Sequence, residues 1–202
     1  ALAHQETDRI AYSMWMHFPN RDRHPRRLAE LSLANQVKYD LDFIKFMPFG
    51  MYSTIDFGVD LDVFPGYTEA PVLHAPIIKD VKDWDKIHFV PGTAGEYAVV
   101  LEAQQLLFEM MDERIPFLQT VFSPMTTLAK MCSPKVLVEH LRQDPARIHR
   151  ALEIVTATTL EFMKASVELG ADGFFFASQL SGEDAMTSEE HTAFVKYYDK
   201  EL

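Results

Sequence analysis

The stretch SMWMHFPNRDRHP, Ser13 to Pro25, runs from apolar residues into a cluster of imidazole, guanidinium and carboxylate groups. His17 ionises near neutral pH, so it can give or take a proton or contact a substrate, while Arg21 and Arg23 present forks that match carboxylates in two parallel bonds. Each has a plainer reading beside it. His17 follows Trp15 and Met16 and fits a hydrogen-bonded core histidine, and Arg21, Asp22 and Arg23 fit a solvated loop whose charges pair locally. Lys45, inside a second apolar run, is a general base, an anion ligand, or a stem lying along a sheet with its ammonium in water. Tyr52 and Tyr67 can stack on a flat ligand or pack at an edge. Ser178 follows Phe174, Phe175 and Phe176 and can offer its hydroxyl to a ligand or to a turn. The candidate site is thus His17 as the catalytic group, with Arg21, Arg23, Tyr52 and Ser178 contacting substrate.

Metal chemistry finds little support in the spacing. The eight histidines are scattered, no His-x-x-x-His or Cys-x-x-Cys pair occurs, and Cys132 is the only cysteine, so no metal site is expected within the chain. No serine stands in a nucleophile elbow. His140 and His149 read as surface residues of helices.

The elements that would position these groups alternate. Ala11 to Phe18 reads as a strand buried on both faces, and a helix follows Pro25 through Leu28, Leu31, Leu33 and Val37. Phe43, Ile44 and Phe46 make a second strand ended by Pro48 and Gly50. Residues 48–78 read as an insertion over the mouth of the fold, with a small hairpin around DLDVFPGYTEAPVLH. A short helix near Val81 to Ile87 and a longer one from about Glu96 to Met111 lead to the buried strand IPFLQTVF, Ile115 to Phe122. Ser123 and Pro124 open the next helix; Asp144 and Pro145 open another, closed by Gly170. A strand at Phe174 to Phe176 and a helix from Ser188 complete the pattern. Strand, helix, strand, helix with short buried strands predicts an α/β fold with a parallel sheet: a (β/α)8 TIM barrel that is incomplete, about its N-terminal half to two-thirds, since such a barrel takes roughly 250 residues. A doubly wound sheet lacks its glycine-rich loop, because HFPNRDR follows the first strand.

The whole of 1–202 therefore reads as a single barrel domain truncated at its C-terminal end, consistent with a start at Ala1 and a stop inside SEEHTAFVKYYDKEL. A net charge of -11 repels a phosphate backbone and argues against nucleic acid. No run approaches the ~20 apolar residues of a membrane span, no secretory signal opens the chain, and a lone cysteine suits a reducing compartment; a soluble cytoplasmic protein is expected.

Three stretches together resemble the uroporphyrinogen decarboxylase superfamily, which also holds the corrinoid-dependent methyltransferases: VFSPMTTLAKM, the block HLRQDPARIHRALEIVTATTLEFMKASVELGADGFFFAS, and the layout of SMWMHFPNRDRHP. The resemblance implies a (β/α) barrel. The decarboxylases carry two arginines four positions apart after the first strand, and the matching positions here hold His17 and Arg21. Their catalytic aspartate falls near Pro48 to Gly50, where no acid stands, and their tyrosine after a Pro-Trp-Thr-like turn matches Lys130. The methyltransferases use a zinc-bound thiol, with His and Cys ligands in later strands. The resemblance thus implies a methyltransferase-like barrel enzyme, with zinc and a corrinoid as cofactors of the full-length protein and none in this chain. His17 is then acid/base or a substrate contact, Arg21 a carboxylate ligand and Ser178 a polar contact. The substrate is a small molecule, a tetrapyrrole or a corrinoid. Uroporphyrinogen decarboxylation is the alternative, as is a non-catalytic fragment that associates with itself, because half a barrel leaves open edges.

Overall fold

The computed structural model describes residues 8–62, 72–180 and 186–202. Its first helix, α1 (Pro25–Tyr39), starts on a proline that has no intrahelical donor to lose and ends at Asp40, whose φ of 49° turns the chain while its amide donates to the Gln36 and Val37 carbonyls. There follow β1 (Ile44–Phe46), α2 (Tyr52–Ile55), β2 (Asp60–Asp62), β3 (Val72–Ala75) and a 3-10 helix at Val81–Lys86. Then come α3 (Gly95–Met110), β4 (Phe117–Phe122), α4 (Pro124–Met131), α5 (Pro134–Gln143), α6 (Pro145–Glu168) and β5 (Gly173–Ala177). A C-terminal segment of α7 (Ser188–His191), a π-helical turn and α8 (Tyr197–Asp199) closes the order. The start signals act as sequence chemistry demands: Ser123, Ser133 and Asp144 each accept the amide three residues on, from Thr126, Val136 and Arg147.

The main sheet is parallel, with β4 between β1 and β5. Side chains alternate between its faces. Ile44, Phe46, Phe117 and Val121 point into a core with Leu28 of α1, Val100 and Leu107 of α3, and Phe162 and Met163 of α6. On the opposite face Lys45, Leu118 and Gly173 are register partners, and Phe175 lies beyond them. A second core gathers Trp84, Met125, Leu128, Leu137, Ile148, Leu152, Val155 and Phe194. The 24-residue α6 joins the two, its first half packing in one and its second half in the other.

The strands expected at 43–46, 115–122 and 174–176 are present as β1, β4 and β5, and β2 pairs antiparallel with β3 as the hairpin expected around residue 60 to 74. The tip of that hairpin, with Tyr67, lies outside the described residues. The strand expected at Ala11 to Phe18 does not form. That segment runs beside Asp42 and Phe43, but the Ser13 hydroxyl takes the Phe43 carbonyl at 2.7 Å and the Asp42 carboxylate takes the Tyr12 amide at 2.9 Å, bonds a ladder would need for backbone partners. The Asp42 amide does donate to the Tyr12 carbonyl at 3.1 Å, but that bond is not extended into a ladder, and Tyr12, Met14, Trp15 and Met16 are left 41 to 51% exposed.

Candidate functional site

The carboxyl ends of β1 and β4 meet the loop of residues 17–24. This loop turns on Asn20, whose φ of 67° lies in the left-handed region that asparagine tolerates better than most residues. It is fastened from below. Asp56 caps α3, accepting the Glu96 amide at 2.7 Å, and its carboxylate fills the space a side chain at Gly95 would need. Gly95, at φ +54°, therefore has both a conformational and a steric reason to be glycine. Glu96, held there and buried, accepts two bonds of 2.7 Å from the Nε and Nη2 of Arg23. Arg23 is thus committed to an internal fork-to-fork pair and is not the substrate fork the sequence suggests; the local pairing of Arg21, Asp22 and Arg23 does not occur either.

With Arg23 anchored, the remaining groups of the loop separate. Arg21 is exposed and makes no side-chain hydrogen bond or ion pair among the described residues, so its guanidinium is available. Asp22 is buried, its Oδ2 4.0 Å from His17 Nδ1, and burial pushes its carboxyl up to about 6. His17 stands edge-on to Trp15, and its Cε1 lies 3.4 Å from where a side chain at Gly50 would begin. Burial, then the charges of Lys130 and Lys45, favour its neutral imidazole.

Lys130 reaches this point from α4. Its Nζ donates to the Gly50 carbonyl at 2.6 Å and sits 3.2 Å from the centroid of the Phe122 ring, and burial depresses its ammonium to about 7. Lys45 is held by rings as well, its Nζ 4.2 Å from the centroid of Trp15 and 3.4 Å from that of Phe175, with its pKa lowered by burial. Its ammonium therefore lies between two aromatic faces rather than free in water. Among the described residues neither lysine has a carboxylate within ion-pair distance. Imidazole, two ammonium groups and a free guanidinium at the ends of parallel strands can hold an anion, move a proton or, through a neutral amine, attack an electrophile. A small cleft lined by Met14, Trp15, Gln36, Leu41 and Met47 lies under the 14–18 segment beside α1, and Lys45 borders it.

Two other expectations change. Tyr52 is 1% exposed: its hydroxyl donates to the Thr120 carbonyl at 2.9 Å and its ring packs edge-on to Tyr97, so it is a core residue with no face for a ligand. Its place in the turn after β1 carries it inward, because α2 packs on α3 and α4. His140 is buried and accepts from Trp84 Nε1 at 3.1 Å, while His149 is half-buried and stacked on Phe194; neither is a surface residue. Ser178 does follow β5, and it lies beside the Asp199 carboxyl, which burial raises to about 6 in the neighbourhood of His191.

Sequence reasoning gave Lys130 no role of its own. The signal was there: PMTTLAKM, the whole of α4, carries a single charge, and seven of its eight residues are buried. Glu96 and Asp56 left no such mark. Among the described residues no three His, Cys, Asp or Glu side chains gather as metal ligands, and no helix is long and apolar enough to cross a membrane.

The family model described as uroporphyrinogen decarboxylase (URO-D) matches residues 5–202. A uroporphyrinogen decarboxylase of Hydrogenovibrio crunogenus is 26% identical over 155 residues, covering 74% of this chain and 43% of that protein. One of Coxiella burnetii is 27% identical over 121 residues, covering 57% of this chain and 32% of the relative. The chain thus spans less than half the length of these curated relatives. Among solved structures, a methyltransferase from Methanosarcina mazei superposes with a TM-score of 0.76 at 22% identity, over 89% of this chain and 53% of that one.

Proposed function

The chain belongs to the uroporphyrinogen decarboxylase family, and from that premise we propose that it forms the N-terminal part of a (β/α)8 barrel enzyme of the methyltransferase-like kind, acting on a small anionic molecule. The hairpin β2–β3 and its flanks, within residues 48–78, then cover the mouth. His17 is the acid/base group, with buried Asp22 beside its Nδ1, and Arg21 is the carboxylate ligand. Ser178, beside the Asp199 carboxyl, is a polar contact at the end of β5.

One observation carries the choice between branches. Where the resemblance to the decarboxylases implies a carboxylate, the loop after β1 offers the Gly50 carbonyl, and that oxygen already accepts from Lys130 Nζ at 2.6 Å. Decarboxylation through a protonated pyrrole builds positive charge, which a carboxylate stabilises and a neutral carbonyl already bonded to an amine does not. The structural similarity to a methyltransferase supports the fold of the preferred branch.

The zinc-held thiolate of that branch does not fit the residues here. Cys132, the only cysteine, has its thiol pushed up to about 11 by burial and directs Sγ at the Leu128 and Ser133 carbonyls. No step through a metal or a corrinoid is therefore derived from this chain.

A second reading, uroporphyrinogen decarboxylation, is favoured by the names of the curated relatives. The intact protein that carries this chain decides between them. Supplied with uroporphyrinogen, it is expected to form no coproporphyrinogen. With a methylated corrinoid and a thiol acceptor it is expected to demethylate the corrinoid, and His17→Gln to lower that rate by about 100-fold, the usual size of a lost acid–base group. Steady formation of coproporphyrinogen would overturn this order.

A further inference from the structure

A buried amine is ordinarily explained by a carboxylate partner, and Lys130 has none within 4 Å among the described residues. Its surroundings instead suit the uncharged form. The Nζ rests against the Phe122 ring, spends one hydrogen on the Gly50 carbonyl, and shares the neighbourhood of Gly50 with the His17 ring. The side chain is only partly enclosed, and it stands at the carboxyl ends of β1 and β4, where the fold brings its other chemically able groups together. In the neutral form the nitrogen keeps a lone pair that neither the carbonyl nor the ring engages.

From this placement we propose that Lys130 is a nucleophilic amine that captures the carbonyl carbon of a small oxo acid as an imine, with His17 carrying the proton and the cationic groups of the same mouth receiving the acid's carboxylate. The nitrogen lone pair forms a C–N bond to the carbonyl carbon while the π pair moves to oxygen. That oxygen takes up two protons, matching the two the nitrogen gives up and carried in turn by the imidazole, and leaves as water as the C=N bond forms. One amine and one carbonyl become one imine and one water, and nothing is oxidised or reduced. Lys45 and Arg21 are the carboxylate receptors within the site: the first lies on the sheet face between Trp15 and Phe175, and the second is exposed on the loop that carries His17. The depressed ammonium of Lys130 is in keeping with this, because a lysine poised near neutrality has a large share of free amine where an ordinary one has almost none. The inference is independent of whether the intact enzyme transfers methyl groups, since it concerns one side chain's reactivity.

The test uses the protein with pyruvate as the probe and sodium cyanoborohydride as the trap, near neutral pH, followed by peptide mass mapping. Lys130 is expected to carry the reduced adduct at least about tenfold ahead of exposed Lys79 and Lys82, from the free-amine fraction that a lysine poised near neutrality gains over the ordinary lysine value. Lys130→Arg, which keeps a cation able to donate to Gly50, removes that adduct while the folded circular-dichroism signal is retained. His17→Gln slows labelling at Lys130 and leaves Lys79 and Lys82 unchanged. Labelling spread over the lysines in proportion to their exposure, or none at Lys130 in the folded protein, overturns the proposal. Neither result bears on the corrinoid assay above.

Discussion

The two faces of the parallel sheet solve the problem of polar groups in opposite ways. On the helix side Gln104, Gln119 and Ser166 are buried and bond one another: Gln119 Nε2 donates to Gln104 Oε1 at 3.2 Å, Ser166 Oγ donates to the same oxygen at 2.7 Å, and Gln104 Nε2 donates to the Ser166 carbonyl at 2.8 Å. The polar atoms there satisfy each other, as buried networks must. On the other face and at the strand ends, Lys45 and Lys130 rest on aromatic rings with no carboxylate in ion-pair distance among the described residues, and Trp15 and Phe175 remain 51% and 40% exposed. A network that closes on itself serves the fold. Amines left without acids among the described residues, on one edge of a chain whose net charge is -11, are what the proposed capture of a small anion would use.

The contrast can be broken by substitution. Phe162→Ala on the helix side removes a fully buried ring packed on Tyr52 and Tyr97 and is expected to lose about 3–5 kcal/mol in urea unfolding. Gln104→Leu strands the Gln119 amide and the Ser166 hydroxyl in the core, for about 1–3 kcal/mol. Lys130→Met, on the other face, should change stability by less than about 1 kcal/mol near pH 10, because an apolar side chain of similar length replaces a largely uncharged amine. Its signature is in the pH dependence. The folded amine loses its proton near pH 7 and the unfolded one near 10.5, so between these values the unfolded state binds more protons and stability rises with pH. The variant should lack that rise; equal slopes in both proteins would erase the distinction between the faces.

What could be read in advance follows the same division. Strands β1, β4 and β5 declared themselves because each is a short apolar run between turn residues, and the caps at Ser123 and Asp144 because the chemistry is local. Ala11 to Phe18 has the same composition and fails, because pairing is a property of neighbours and Ser13 and Asp42 take the bonds first. Around the candidate site, the switch between apolar and charged residues marked the loop that carries His17 and Arg21. Arg23 was misjudged because its partner Glu96 lies 73 residues away, and Tyr52 because nothing in MYSTID says which way a four-residue helix will face. Lys130 depends on α4 meeting the loop of Gly50, a contact 80 residues apart that no local pattern encodes.

A site-resolved titration of Lys130 tests the central claim most directly, with the Cε resonance of selectively labelled lysine assigned through Lys130→Arg. The expected midpoint is near 7, well below the ordinary lysine value. A midpoint near about 10.5 overturns the reading, because the amine would then be an ordinary solvated cation.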